Sequence, residues 1–261
     1  MPDKINLNAD LGESFGAWSM GDDTAMLQVV NSANVACGFH AGDPLVMQHT
    51  VATAKRFGVS VGAHPAFPDL QGFGRRRMDI PAGELAAMLI YQIGALGAFA
   101  RAEGLAVTHV KPHGALNNMA CVDRTLAATV ARAVRRLDPG LILLAPALSQ
   151  LAVAGREAGL AVIEEIFADR AYLDDGSLVP RAQSGAMIHG AEACLQHVLD
   201  ILNAGALISI NGKRLPVKAQ SICVHGDNPE AVATARAIRH GLLQAGYELV
   251  AIPALDGEAS A

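Results

Sequence analysis

Four histidines stand where a short apolar run gives way to a polar loop: His40 in ACGFHAGD, His64 in VGAHP, His113 in HVKPHG and His225 in CVHGD. Imidazole titrates near neutral pH and, when neutral, ligates divalent metals, so such a set suits general acid–base chemistry or a metal centre. An earlier run, NLNADLGES, adds the carboxylates Asp10 and Glu13 beside Asn8. An isolated D-x-x-E also reads as the cap of a following helix, and the company of other polar clusters is what points to chemistry. Asn34 precedes the His40 loop, Asp169 and Arg170 follow FA, and Asp227 ends CVHGD. Lys111 lies between His109 and His113, and strand alternation puts these odd positions on one face. Its ammonium there suits an anion or a developing oxyanion, or else a plain ion pair with Asp10 or Asp169. Arg75, Arg170 and Arg181 carry the guanidinium fork that clamps a carboxylate or phosphate. His49, His197 and His240 fall on helical segments and His189 just before one, which marks them as structural or solvated.

These residues need elements that bring them together, and the chain supplies a repeating pattern of apolar run, polar loop and amphipathic helix. That is the sequence form of βα units around a parallel sheet or barrel. Strands are expected at Ile5–Asn8, Ser32–Ala36, Val59–Gly62, Thr108–Lys111, Leu141–Ala145, Ala161–Phe167, Ser221–Val224 and Leu249–Ile252. Helix ends are marked by Pro81 and Gly104, by Asp123 ahead of Arg124–Leu137, and by Asn228-Pro229 with Gly246. Leu207–Ile210 and Arg214–Ala219 flank Asn211-Gly212 and read as a surface hairpin. In a parallel βα architecture the carboxyl ends of all strands open on one face, so the clusters converge on one pocket.

At 261 residues, 51% of them hydrophobic, the chain suits one barrel domain over 1–255 with a frayed tail at 256–261. The balance of 20 basic to 25 acidic residues, with no basic run beyond Arg75-Arg76-Arg77, argues against nucleic acid as a partner. No signal pattern opens the chain and no apolar run approaching a membrane span is expected, so no membrane partner is expected either and the protein is placed in the cytoplasm. Cys37, Cys121, Cys194 and Cys223 are too far apart in sequence for a zinc knuckle or a disulfide framework. No H-E-x-x-H, G-x-x-x-x-G-K-[ST], G-x-G-x-x-G or G-x-S-x-G motif occurs. Any ATP chemistry therefore uses another kind of site or a partner chain.

Taken in order, NADLGES, ANVACGFHAGDP, VGAHPAFPD with GFGRR, HVKPHGAL, FADRAYLDDGSLVPR and CVHGD resemble the LamB/YcsF family, the A subunits of bacterial ATP-hydrolysing 5-oxoprolinases. The resemblance implies an α/β fold, an irregular seven-stranded (β/α) barrel of the glycoside hydrolase/deacetylase type. It implies opening of 5-oxo-L-proline to L-glutamate coupled to hydrolysis of ATP, with Mg, together with the B and C subunits of 5-oxoprolinase. On that reading Asp10, Glu13, His64, Lys111 and His113 are catalytic, and Asn8, Asn34, His40, Arg75, Asp169, Arg170, Arg181, His225 and Asp227 bind substrate. Asp10, His64 and His113 would hold a divalent metal if one is bound. Asn6 and Asn117 depart from the family pattern, where Asp and Tyr are expected. Two other readings stand beside it: a metal-dependent deacetylase or carbohydrate-active hydrolase on the same barrel, and a non-catalytic scaffold for partner subunits.

Overall fold

The computed structural model describes residues 3–225 and 230–255. The expected tail at 256–261, the helix-opening Asn228-Pro229 and Asp227 lie outside the described residues. In chain order the elements are β1 (Lys4–Leu11), α1 (Asp23–Leu27), β2 (Ser32–Ala36), α2 (Pro44–Phe57), β3 (Ser60–His64), α3 (Ala82–Ala102), β4 (Val107–Val110), α4 (Gly114–Val122) and α5 (Arg124–Leu137). There follow β5 (Ile142–Pro146), α6 (Gln150–Glu157), β6 (Val162–Phe167), α7 (Ala191–Ala204), β7 (Ala206–Ile208), β8 (Arg214–Pro216), β9 (Ser221–His225), α8 (Ala231–Gln244) and β10 (Glu248–Leu249). The strands β1-β2-β3-β4-β5-β6-β9 are all parallel, and β9 pairs back onto β1, which closes a seven-stranded barrel.

The expected eighth strand is a two-residue addition outside the barrel, pairing Lys4 and Ile5 of β1 with Glu248 and Leu249. The chain then turns under the barrel, where Ile252 and Leu255 pack with Ile142, Leu144 and Ile163 in a small apolar cluster of their own. The expected hairpin forms as the short antiparallel pair β7–β8. Asp174, in the long loop after β6, fixes it by accepting from Ser209 Oγ at 2.5 Å and Asn211 Nδ2 at 3.2 Å.

Alternation along β1 explains its mixed composition. Ile5, Leu7, Ala9 and Leu11 belong to the main core that the helices cover, while Asn6, Asn8 and Asp10 point the opposite way, into the barrel. The barrel interior is therefore polar in its middle layers, and each buried amide must find partners. Asn6 donates to Ser32 Oγ at 2.9 Å and to the Val250 carbonyl at 2.7 Å; Asn8 donates to Ser221 Oγ at 2.8 Å. Ser32 and Ser221, both fully buried, complete that layer. Asn6, one of the two departures from the family pattern, is thus a fixed member of the interior network.

The expectation that no apolar run approaches a membrane span does not hold. Ala82–Ala102 is a 21-residue helix with mean hydropathy 1.4, long and apolar enough to cross a membrane by length and composition. Its many Ala residues add to the hydropathy, while Leu85, Leu89, Ile93 and Leu96 supply the buried stripe that packs on β3, β4 and α5. Gln92 on the same stripe pairs with both backbone groups of Ala66, at 2.9 and 3.0 Å, and so anchors the loop that follows His64.

Candidate active site

The carboxyl ends of the strands surround a cavity of about 730 Å³. Asp10, Glu13, His64, Lys111, His113 and His225 line it, with Arg75, Arg170 and Arg181 also on its wall. Asn8, Asn34, His40 and Asp169, expected to touch substrate, stand behind those side chains and hold them. Asp227 lies outside the described residues.

Lys111 organises the floor. It is 2% exposed, and its Nζ lies 2.9 Å from Asp10 Oδ1, 3.1 Å from Glu165 Oε2 and 3.0 Å from Cys223 Sγ. Burial by itself would lower its pKa, but the facing Asp10 and Glu165 carboxylates hold it well above the usual lysine value. Burial likewise works against an ionised Asp10, yet His64 and Lys111 keep its carboxyl well below the usual range. Asn34 Nδ2 also donates to Asp10 Oδ1, at 2.9 Å. Asp10 is therefore a buried, ionised acceptor. Glu165 is pushed up by burial, and its Oε1 has no hydrogen-bond partner among the described residues.

Beside this pair stand the imidazoles of β3, the His40 loop and the start of α4. His64 Nδ1 is 2.6 Å from the Lys111 carbonyl and His113 Nε2 is 2.8 Å from the Phe73 carbonyl. A carbonyl only accepts, so both contacts fix a proton on those nitrogens. The remaining nitrogens, His64 Nε2 and His113 Nδ1, face each other at 2.9 Å. In neutral rings both carry lone pairs. Glu13 Oε1 lies 3.5 Å from the same His113 nitrogen and 3.4 Å from His40 Nε2, while Asp10 Oδ2 is 3.4 Å from His64 Nε2. His40 stacks on His113 with ring centroids 3.8 Å apart, and its Nδ1 has no partner among the described residues. Burial and neighbouring imidazoles lower the pKa of both His40 and His113 well below the ordinary value. Ligand atoms of Glu13, His40, His64 and His113 lie within 4.8 Å of one another. Lone pairs converging with no proton between them fit a divalent cation, whose nitrogen and oxygen donors these are. Asp10, expected from sequence as a ligand, gives Oδ1 to Lys111 and Asn34 and keeps Oδ2 3.4 Å from His64 Nε2; with Cys223 and His225 it forms a second group whose ligand atoms lie within 4.8 Å of one another.

On another wall His225 ends β9. Its Nδ1 is 2.9 Å from each oxygen of Asp169, and its ring stacks on Phe167 at 5.6 Å. Arg170 is buried and gives Nη2 to the Val179 carbonyl at 2.6 Å; burial, then Arg181, brings its pKa down to about 10. Arg75 lies over the Phe73 ring at 5.0 Å. Arg75 and Arg181 are the exposed cations of the rim. Asn117, the other departure from the family pattern, also lines the cavity, and its Oδ1 is buried without a partner among the described residues.

His109 does not join the others, although it shares their alternation. Its Nε2 meets Asn34 Oδ1 at 3.0 Å inside the barrel, and burial drops its pKa to about 3. His113 lies beyond the end of β4, at the N-cap of α4, so the strand rule does not govern it. Glu165, Cys223 and Phe167 escape a reading of the sequence. The signal for Glu165 is two carboxylates inside the apolar run VIEEIF, one of which has to face the interior and so needs a cation.

The model of the LamB/YcsF family matches residues 5–257. The A subunit of the 5-oxoprolinase of Azoarcus sp. (strain BH72) is 60% identical over 250 residues, 96% of this chain and 98% of that protein. The crystal structure of a lactam utilization protein from Thermus thermophilus superposes with a TM-score of 0.89 at 46% identity, covering 95% of this chain and all (100%) of that one. A structure titled T48 deacetylase with substrate shares the fold alone, with a TM-score of 0.54 at 14% identity over 99% of this chain and 93% of that one. A family model spanning nearly the whole chain, and relatives this close, establish that the chain belongs to the LamB/YcsF family.

Proposed function

We propose that this chain is the A subunit of an ATP-dependent 5-oxoprolinase, opening 5-oxo-L-proline to L-glutamate in concert with B and C subunits. The observation that carries the reading is the cavity floor, where an ionised Asp10 lies between a buried ammonium and a pair of proton-fixed imidazoles. The relatives named for this activity share the chain over nearly its full length. A five-membered lactam is a resonance-stabilised amide, so its hydrolysis needs an activated carbonyl, a base for water and a cation near the developing charge. ATP supplies the activation by phosphorylating the amide oxygen. Asp10 takes the proton of water, and Glu13 and the His64–His113 pair line the site beside it. Lys111 keeps Asp10 ionised and places positive charge beneath the reacting carbon. Arg75 and Arg181, at the rim, hold the substrate carboxylate.

A divalent metal would be held by His64 Nε2, His113 Nδ1, the Glu13 carboxylate and His40, and would supply Lewis acidity there. Metal analysis of the purified chain tests this donor set. About one equivalent that is lost in a His64→Ala, His113→Ala double variant agrees with it, and equal retention by the variant refutes it. ATP is a cosubstrate of the whole complex, and no phosphate-cradling glycine loop in this sequence claims it for this chain. The catalytic roles are tested in the assembled complex with Asp10→Asn and His113→Ala, each expected to lower coupled turnover by roughly 10²–10⁴-fold. Full turnover in either variant would sink the assignment.

A further inference from the structure

Lactam hydrolysis moves protons from the attacking water and to the departing nitrogen, and the cavity holds two imidazole systems, one on each side of Asp10. The His64–His113 pair faces the Asp10 and Glu13 carboxylates and presents lone pairs. His225 stands on β9 opposite Asp10 in the β1–β9 register; ligand atoms of His225, Asp10 and Cys223 lie within 4.8 Å of one another, and the His225 ring stacks on Phe167 at 13°. Both oxygens of Asp169 are 2.9 Å from His225 Nδ1. An ionised carboxylate only accepts, so it fixes a proton on Nδ1 and orients the ring, and it leaves Nε2 as the working nitrogen. Asp169 is suited to this role, since His225 and the nearby Arg181 and Arg170 outweigh its burial and keep it ionised. His225 lines the cavity, and its Nε2 makes no hydrogen bond to the described residues.

We infer that His225 is the general acid that protonates the lactam nitrogen as the ring opens, with Asp169 as its positioning residue. The inference rests on the oxoprolinase reading and deepens it. In the step, the ring carbon gains a C–O bond from water and loses its C–N bond. One water proton passes to Asp10, and the second leaves to solvent as the tetrahedral carbon collapses to the acyl phosphate. The nitrogen keeps the electron pair of the broken bond and takes a proton from His225 Nε2, and solvent later reprotonates the neutral ring. The phosphoryl group delivered earlier by ATP leaves as phosphate when the acyl phosphate so formed is hydrolysed by a second water. Activation of the carbonyl precedes this proton transfer; when the transfer fails, water attacks at phosphorus and returns the phosphorylated lactam to 5-oxoproline and phosphate, so ADP forms without glutamate.

The test is made in the complete complex with the B and C subunits, measuring 5-oxoproline-dependent ADP and glutamate in the same reaction for wild type, His225→Gln and Asp169→Asn. Glutamate should fall roughly 10²–10⁴-fold in His225→Gln while ADP falls far less, so that the ADP-to-glutamate ratio rises several-fold or more. Asp169→Asn should shift the ratio in the same direction. A ratio equal to wild type in His225→Gln, whether both products fall together or neither falls, overturns the inference. Thermal unfolding of each variant is read alongside. If His225→Gln is unfolded, the ratio in Asp169→Asn decides, a wild-type value again overturning the inference. Wild-type complex that makes no oxoproline-dependent ADP sinks the oxoprolinase reading itself, which separates that failure from failure of the acid assignment.

Discussion

Lys111 and the carboxylates around it show how few side chains hold the cavity floor together. The ammonium faces Asp10 and Glu165, and among the described residues neither acid has another cation within salt-bridge distance apart from the histidine beside Asp10. Removing the lysine leaves buried charge without compensation. Lys111→Met should destabilise the protein by about 3–5 kcal/mol in chemical denaturation, and adding Glu165→Gln should recover part of that loss. A loss below about 1 kcal/mol would mean that the pair is more hydrated than its burial indicates. Histidine gives a second test at this scale. The folded His109 titrates at about 3, against an ordinary value of 6.5. Between those values the unfolded chain binds a proton that the folded chain does not, so His109 stabilises the fold fully above pH 6.5 and that stability is lost as pH falls. The slope is about 1.4 kcal/mol per pH unit for each such group. Stability measured from about pH 7.5 to about pH 5 should therefore fall, and His109→Gln should flatten the slope by about one proton; identical slopes would contradict the burial argument.

At the level of elements, the strands place chemistry by alternation, and one glycine shows how tightly. Gly62 sits in β3 directly against His109, and a Cβ built there would lie 2.1 Å from His109 Nε2. Gly62→Ala must push the imidazole off Asn34, with a predicted loss of about 2 kcal/mol or more in the unfolding free energy and a rise in mobility of the interior amides. A change within about 0.5 kcal/mol would show that the barrel relaxes around it. Alternation also made much of the fold legible. The expected strand Ile5–Asn8 forms the middle of β1, Asp123 marks the start of α5 at Arg124, and Asn211-Gly212 marks the β7–β8 turn. What escaped was set by tertiary structure. Strands β1 and β3 extend further than their apolar runs, because Asp10 and His64 are satisfied by partners on other strands. The 23 residues between the end of β6 at Phe167 and the start of α7 at Ala191 carry no helix, and a hairpin clasp through Asp174 takes its place.

Across the whole molecule, closure of seven strands turns distant loops into one site, and this is why the histidines at strand ends could be picked out from sequence while their partners could not. His40, His64, His113 and His225 announced themselves by standing before glycine or proline or in a polar loop. Glu165 and Cys223 lay inside apolar runs, and their roles appear only when β6 and β9 stand beside β1 with Lys111 reaching between them. The same closure gives the molecule a polar pocket of about 730 Å³, which a passive scaffold for partner subunits does not require. The central claim is that this pocket opens a lactam only in concert with partners that help to use ATP. The most direct measurement is 5-oxoproline-dependent formation of ADP and glutamate by this chain alone, by the B and C subunits alone, and by all three together. Activity confined to the full mixture, and abolished when Asp10→Asn replaces the wild-type chain, is the predicted result. Full activity from the B and C subunits without this chain, or undiminished activity with Asp10→Asn, would contradict it.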